Sequence, residues 1–181
     1  MRKLALAVAA ALAIPGVAFA NYTVKMSSID EKGVGTSVGT VSISAAKGGG
    51  VTLKPRLHGL PPGTHGFHVH EAANCGAKEQ DGKMTPGGLA GGHLDPEKSG
   101  KHEGPEGHGH QGDLPPLVVG KDGKATKVVS SKRLTLEELA DKALVIHEGG
   151  DNFSDQPKPL GGGGKRIACG VIEARAKSTE R

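Results

Sequence analysis

Nine histidines stand in this chain of 181 residues, and their spacing is uneven. His68 and His70 are one residue apart in "GFHVHE", four more (His93, His102, His108 and His110) fall between residues 93 and 110, and His147 closes the apolar run "ALVIH". Side chains two apart on a strand share a face, so His68 and His70 project together while Phe67 and Val69 point the other way. Two imidazoles on one wall make half a metal site, although a pair of solvent-facing histidines has the same spacing. The segment after them adds His93, His102, His108, His110 and Asp113, imidazoles and a carboxylate that suit four-coordinate zinc. Nitrogen-rich donation from His68, His70 and His147 suits copper.

The elements that must carry these groups are short strands. From Tyr22 to Leu57 apolar and polar residues alternate in "YTVKMSSID", "SVGTVSISA" and "VTLKPRL", with Gly, Lys and Asp between them. That period predicts antiparallel strands joined by short turns. The pattern returns in "GFHVHE", "LVVG", "TKVVSSKR", "ALVIHE" and "IACGVIEA", so the fold class is all-β, a sandwich or barrel. In "LTLEELADK", Thr135 and Glu138 have capping-box spacing, and Leu136, Leu139 and Ala140 share a helical face, which predicts one or two helical turns. Residues 71 to 116 have almost no apolar period. A loop of that length in a compact domain is functional or disordered, and the histidines clustered within it argue that something holds it down.

"MRKLALAVAAALAIPGVAFA" has Arg2 and Lys3, an apolar run from Leu4 to Ile14, and Ala18-Phe19-Ala20, the pattern of a cleaved secretory signal. The expected mature chain is residues 21–181, one domain in length. The run is too short to span a bilayer, and no later segment offers about 20 continuous apolar residues. Without Arg2 and Lys3 the formal charge falls from +4 to +2, too little to point to nucleic acid as a partner. With Tyr22, Phe67 and Phe153 as its only aromatics after residue 20, the domain must build its core from Val, Ile and Leu. Cys75 and Cys169, the only cysteines, favour one disulfide in an oxidising compartment; the alternative is two buried thiols.

Taken together, "HGFHVHE", "GGHLDPEKSGKHEGPEGHGHQGDLPPL", "LVIHEGGDNFSD" and "PLGGGGKRIACGVIE" resemble the bacterial secreted copper,zinc superoxide dismutases over most of residues 65 to 173. The resemblance implies a flattened eight-stranded Greek-key β-barrel with a long metal-binding loop and a second loop over the active channel. It implies one copper and one zinc ion per subunit and superoxide anion as substrate, converted to dioxygen and hydrogen peroxide. Copper would be held by His68, His70, His93 and His147, and zinc by His93, His102, His110 and Asp113. His93 would then bridge the metals and carry a proton during turnover. Asp151 would accept hydrogen bonds from His68 and His102, Arg166 would dock the anion, and Cys75 would pair with Cys169. His110 is preferred to His108 because the family places an Asp three residues after this ligand. The signal and the bacterial-type loops together imply a periplasmic protein. The family contains monomers and homodimers, and strand alternation does not choose between them.

Lys78, Lys83, Lys158 and Lys165 are candidates for attracting the anion, although a lysine so placed is more often a solubilising surface residue. His65 is expected to pin loop to loop, and His58 has no derivable role. Three other readings stay open on the residues. A metal-binding protein without turnover would share the ligands. A cupin-like enzyme also places H-x-H on a strand, but with its Glu several residues later, whereas Glu71 follows His70 directly. A zinc hydrolase would want an H-E-x-x-H helix, which the sequence lacks.

Overall fold

The computed structural model describes residues 21–174; the expected signal, residues 1–20, lies outside them, as do residues 175–181. The strands are β1 (Tyr22–Asp30), β2 (Gly33–Ala45), β3 (Val51–Leu57), β4 (Gly63–His65), β5 (Phe67–His70) and β6 (Lys78–Gln80). They continue as β7 (Lys83–Thr85), β8 (Leu117–Val119), β9 (Val129–Ser131), β10 (Lys142–His147) and β11 (Arg166–Ile172). Seven form one curled antiparallel sheet in the order β5-β10-β11-β1-β2-β3-β9, while β4 pairs with β8 and β6 with β7. The all-β barrel expectation is met, with eleven strands among the described residues rather than eight, because the long loop carries the β6–β7 hairpin and β4 and β5 are separated at Gly66.

Alternation decides which side is dry. Along β1, Tyr22, Val24 and Met26 enter the core, along β3 Val51, Leu53 and Leu57, and along β10 Leu144 and Ile146. Phe67 and Val69 of β5, at one edge of the sheet, share that core with Val129 of β9 at the other. Phe67 is the only aromatic with no exposed surface among the described residues, so aliphatic packing carries the interior. Each buried Leu, Ile or Val contributes about 1.5–3 kcal/mol.

The free edge of β5 is covered by the long loop. Val69 N donates to Gly112 O at 2.9 Å and Leu94 N to Val69 O at 2.8 Å, so two distant parts of the loop complete the ladder. Pairing this edge removes an open strand and brings His93 and Asp113 beside the strand histidines. On the outer face, Ile29, Ala90, Ala143 and Val145 pack around the Cys75–Cys169 disulfide, whose residues are 94 apart in sequence. Closing a loop of that length stabilises by about 4–5 kcal/mol in the chain-entropy model.

The expected helix near Leu136 does not form: residues 136–141 are a turn. The capping bonds are present, Thr135 N and Oγ1 each donating to Glu138 Oε2 at 2.8 Å, and Leu139 is fully buried. Asp141, at φ 57°, reverses the chain into β10 before a second turn can be added. A single turn gains too few hydrogen bonds to offset the nucleation cost.

Candidate metal centre

The site is built on two adjacent strands and closed by two loops. Val145 of β10 pairs with His68 and Ala143 with His70, so His147, two residues beyond Val145 and past a register shift, joins the same face. All four residues of β5 are buried, Phe67 and Val69 in the core and His68 and His70 on the opposite side, as the strand period requires. Backbone bridges set His93 beside His70 and Asp113 beside His68.

Two groups of donor atoms result, each with all its atoms within 4.8 Å of one another: His68, His70, His93 and His147, and then His68, His93, His102 and Asp113. His110 borders the second, its Nδ1 3.6 Å from Asp113 Oδ1 and its ring centroid 5.2 Å from that of His93. His68 and His93 stack at 4.0 Å. His108 is exposed, with its backbone N–H on Glu103, and His58 is exposed as well.

The ring nitrogens divide into used and unused. His68 Nε2 meets Asp151 Oδ2 at 2.8 Å, His70 Nδ1 meets Gly91 O at 3.0 Å, and His147 Nδ1 meets Gly164 O at 3.1 Å. His93 Nδ1 lies 2.8 Å from Asp113 Oδ1, and His102 Nε2 lies 2.7 Å from Asp151 Oδ1. Donation from one nitrogen fixes the tautomer and leaves the other with a lone pair turned inward. Those others, His68 Nδ1 and the Nε2 atoms of His70, His93 and His147, are buried without a partner. So are His102 Nδ1, His110 Nδ1 and Asp113 Oδ2, although His102 Nδ1 lies 2.9 Å from Asp113 Oδ2. Buried polar atoms are ordinarily satisfied, and seven unsatisfied ones around one point fit a pair of cations.

Burial sets the charge states. It lowers His93 to about 4, and a hydrogen bond to Asp113 only partly offsets it. Burial and the neighbouring His68 lower His147 to about 3. His70 is held well below its ordinary value, first by burial and then by His93. These rings are neutral at pH 7 and ready to donate lone pairs. At His102 burial opposes charge, but the carboxylates of Asp113 and Asp151 outweigh it and raise the ring to about 9. Burial acts against ionisation of both carboxylates, yet hydrogen bonds from the imidazoles hold Asp113 and Asp151 well below the usual carboxylate range.

Arg166 pairs with His147 across β10 and β11, and its guanidinium donates to Gly87 O at 2.5 Å and Gly91 O at 2.7 Å. It lines an open cleft of about 740 Å³ with His93, His147, Lys83 and Lys165. Of the four candidate lysines these two reach the cleft, and Lys165 also lies 3.8 Å from Glu31. Lys78 and Lys158 are exposed away from its lining. His65, expected to pin loop to loop, instead lies on β4 with its ring nitrogens 2.8 Å from the carbonyls of Pro61 and His147, tying β4 and the turn before it to β10. Asp155 was not singled out from the sequence, yet its carboxylate accepts from His102 N at 2.9 Å and Leu160 N at 3.1 Å. Nor was Arg133, which holds loop carbonyls at 2.6 and 3.0 Å. Arg133 throughout, and Asp155 toward His102, act on backbone atoms far away in sequence, where residue type carries no signal.

Residues 37–172 match the family described as copper/zinc superoxide dismutase (SODC). Superoxide dismutase [Cu-Zn] 2 of Salmonella typhimurium strain LT2 is 54% identical over 174 residues, covering 96% of this chain and all of that protein. The solved structure of Cu/Zn superoxide dismutase from Brucella abortus superposes with a TM-score of 0.83 at 51% identity, over 85% of this chain and all of that one. The monomeric copper, zinc superoxide dismutase from Salmonella enterica, known in solution, gives 0.76 at 56% identity, also over 85% of this chain and all of its own. Likeness of this extent, in sequence and in backbone, means that the chain belongs to the copper/zinc superoxide dismutase family.

Proposed function

We propose that this protein is a periplasmic copper,zinc superoxide dismutase, matured by removal of residues 1–20 to leave the domain 21–181. Copper is assigned to His68 Nδ1 and to Nε2 of His70, His93 and His147. Zinc is assigned to Nδ1 of His93, His102 and His110 and to Asp113. The observation that carries this reading is the set of seven buried donor atoms without partners: four of them, His93 Nε2 included, suit copper and three suit zinc, whose fourth ligand, His93 Nδ1, would exchange its hydrogen bond to Asp113 for the metal. All the ligands come from one chain, so neither site needs a second copy for completion.

Copper held by His68, His70, His93 and His147 would supply reversible one-electron chemistry, by which one superoxide could leave as dioxygen and a second, with two protons, as hydrogen peroxide. The chain supplies the rest. Arg166, fixed by two carbonyls, holds a permanent positive charge in the cleft where a small anion docks. Lys83 and Lys165 at the cleft add to the field that draws the anion in. Asp151 orients His68 and His102 through their Nε2 protons, tying one cluster to the other. His93 lines the cleft, and its Nε2, whenever it is not on copper, is placed to hold a proton and pass it to departing peroxide.

A complete ligand set with no turnover would be a metal-buffering protein, and Arg166 separates the two readings. Replacing Arg166 with Met should lower superoxide-dependent activity by about tenfold or more while copper and zinc content stay at wild-type values. Unchanged activity would remove the docking role.

A further inference from the structure

The turn after β9 carries capping bonds with no helix behind them, and its side chains reach the segment that bears His110. Arg133 donates from Nη2 to Gly109 O at 2.6 Å and from Nη1 to His110 O at 3.0 Å and Gly104 O at 3.5 Å. From behind, Gln111 Nε2 donates to Arg133 O at 2.5 Å and to Glu138 Oε1 at 2.9 Å. The other oxygen of Glu138 is the one that holds Thr135. Leu136 and Leu139 anchor this turn in the core. The segment it grips contains Gly104, Gly107, Gly109 and Gly112 and has no strand of its own. A glycine-rich backbone has many conformations to lose, so the position of His110 must be imposed from outside.

We propose that Arg133, backed by Gln111 and Glu138, is a positioning residue for zinc: it fixes the carbonyls around His110 and thereby slows zinc loss. This rests on the assignment of His110 as a zinc ligand. Charge does not explain the placement, because a guanidinium close to a cation site is electrostatically unfavourable. The planar fork does, since it reaches several carbonyls at once from one rigid group. A lysine keeps the charge and loses that geometry.

The test is the rate of zinc release from the fully metallated protein to a chromogenic chelator, for wild type, Arg133→Met, Arg133→Lys, Gln111→Leu and His110→Ala. Cobalt placed in the zinc site reports its ligand geometry by visible absorption. Both Arg133 variants should release zinc roughly tenfold faster, Gln111→Leu by a smaller factor, with copper retained and the cobalt bands shifted. Wild-type release from Arg133→Met, beside accelerated release from His110→Ala, would overturn the role of Arg133 and leave the zinc assignment intact. Full restoration by Lys would overturn the carbonyl-fork account. If Arg133→Met does not fold, wild-type rates in Arg133→Lys and Gln111→Leu overturn the proposal. Wild-type release from His110→Ala would instead sink the zinc assignment, and this inference with it.

Discussion

His93 faces both donor clusters, and the charge states around it give the metal-free protein a distinctive pH response. Burial lowers His93 to about 4 and His147 to about 3, against an ordinary value of 6.5. Between pH 6.5 and about 4 the unfolded chain therefore binds protons that the folded chain refuses, and stability falls as the pH falls. His102 runs the other way: raised to about 9, it is charged in the folded state at neutral pH, and its contribution is lost as the pH rises from 6.5 through 9. Thermal unfolding of the metal-free protein should be highest near pH 6–7 and decline on both sides. A steady rise in stability from pH 5 to 9 would contradict these charge states.

Among the elements, the loop from Asp151 to Gly164 shows how closely backbone and site are fitted. Gly161 has φ 68°, and a Cβ there would fall on Asp151 Oδ1 and within 2.7 Å of His102 Nε2. Gly161→Ala should lower zinc affinity by roughly tenfold, measured by competition with a chelator. Gly59 has the same φ of 68° with nothing within 4 Å, so Gly59→Ala has the same backbone strain, about 1–2 kcal/mol, and should leave zinc affinity unchanged. Equal effects in the two variants would show that strain alone is at work. What could be read from sequence follows the same division. The full extents of β1 and β3 were legible because alternation between core and solvent is written residue by residue. The β6–β7 hairpin was missed although Asp81-Gly82, both at positive φ, is a favoured two-residue turn, because its strands are short and mostly exposed. The capping box was over-read as a helix because its local bonds form whether or not a helix follows. The clustered histidines and Asp113 stood out because their chemistry is carried by the side chain itself, while Asp151 and the division of ligands between metals came only with the family resemblance; Arg133 and Asp155 did not stand out, since they act on distant main-chain atoms.

As a whole molecule, the protein is a curled aliphatic sheet with its chemistry placed on the outside of β5 and β10, under loops stapled down by one disulfide. Core and site use opposite faces of the same two strands, so the packing that buries Phe67, Val69, Leu144 and Ile146 also fixes the imidazoles behind them. Binding of metals that the unfolded chain cannot hold as well adds to stability by mass action. The central claim, two different metals joined through His93 with copper carrying turnover, is tested most directly by metal content of the mature protein together with activity before and after copper removal. The account predicts one copper and one zinc per chain, activity lost when copper is withdrawn with zinc retained, and activity restored when copper returns. Zinc alone in an active protein, or a full copper complement without turnover, would contradict it.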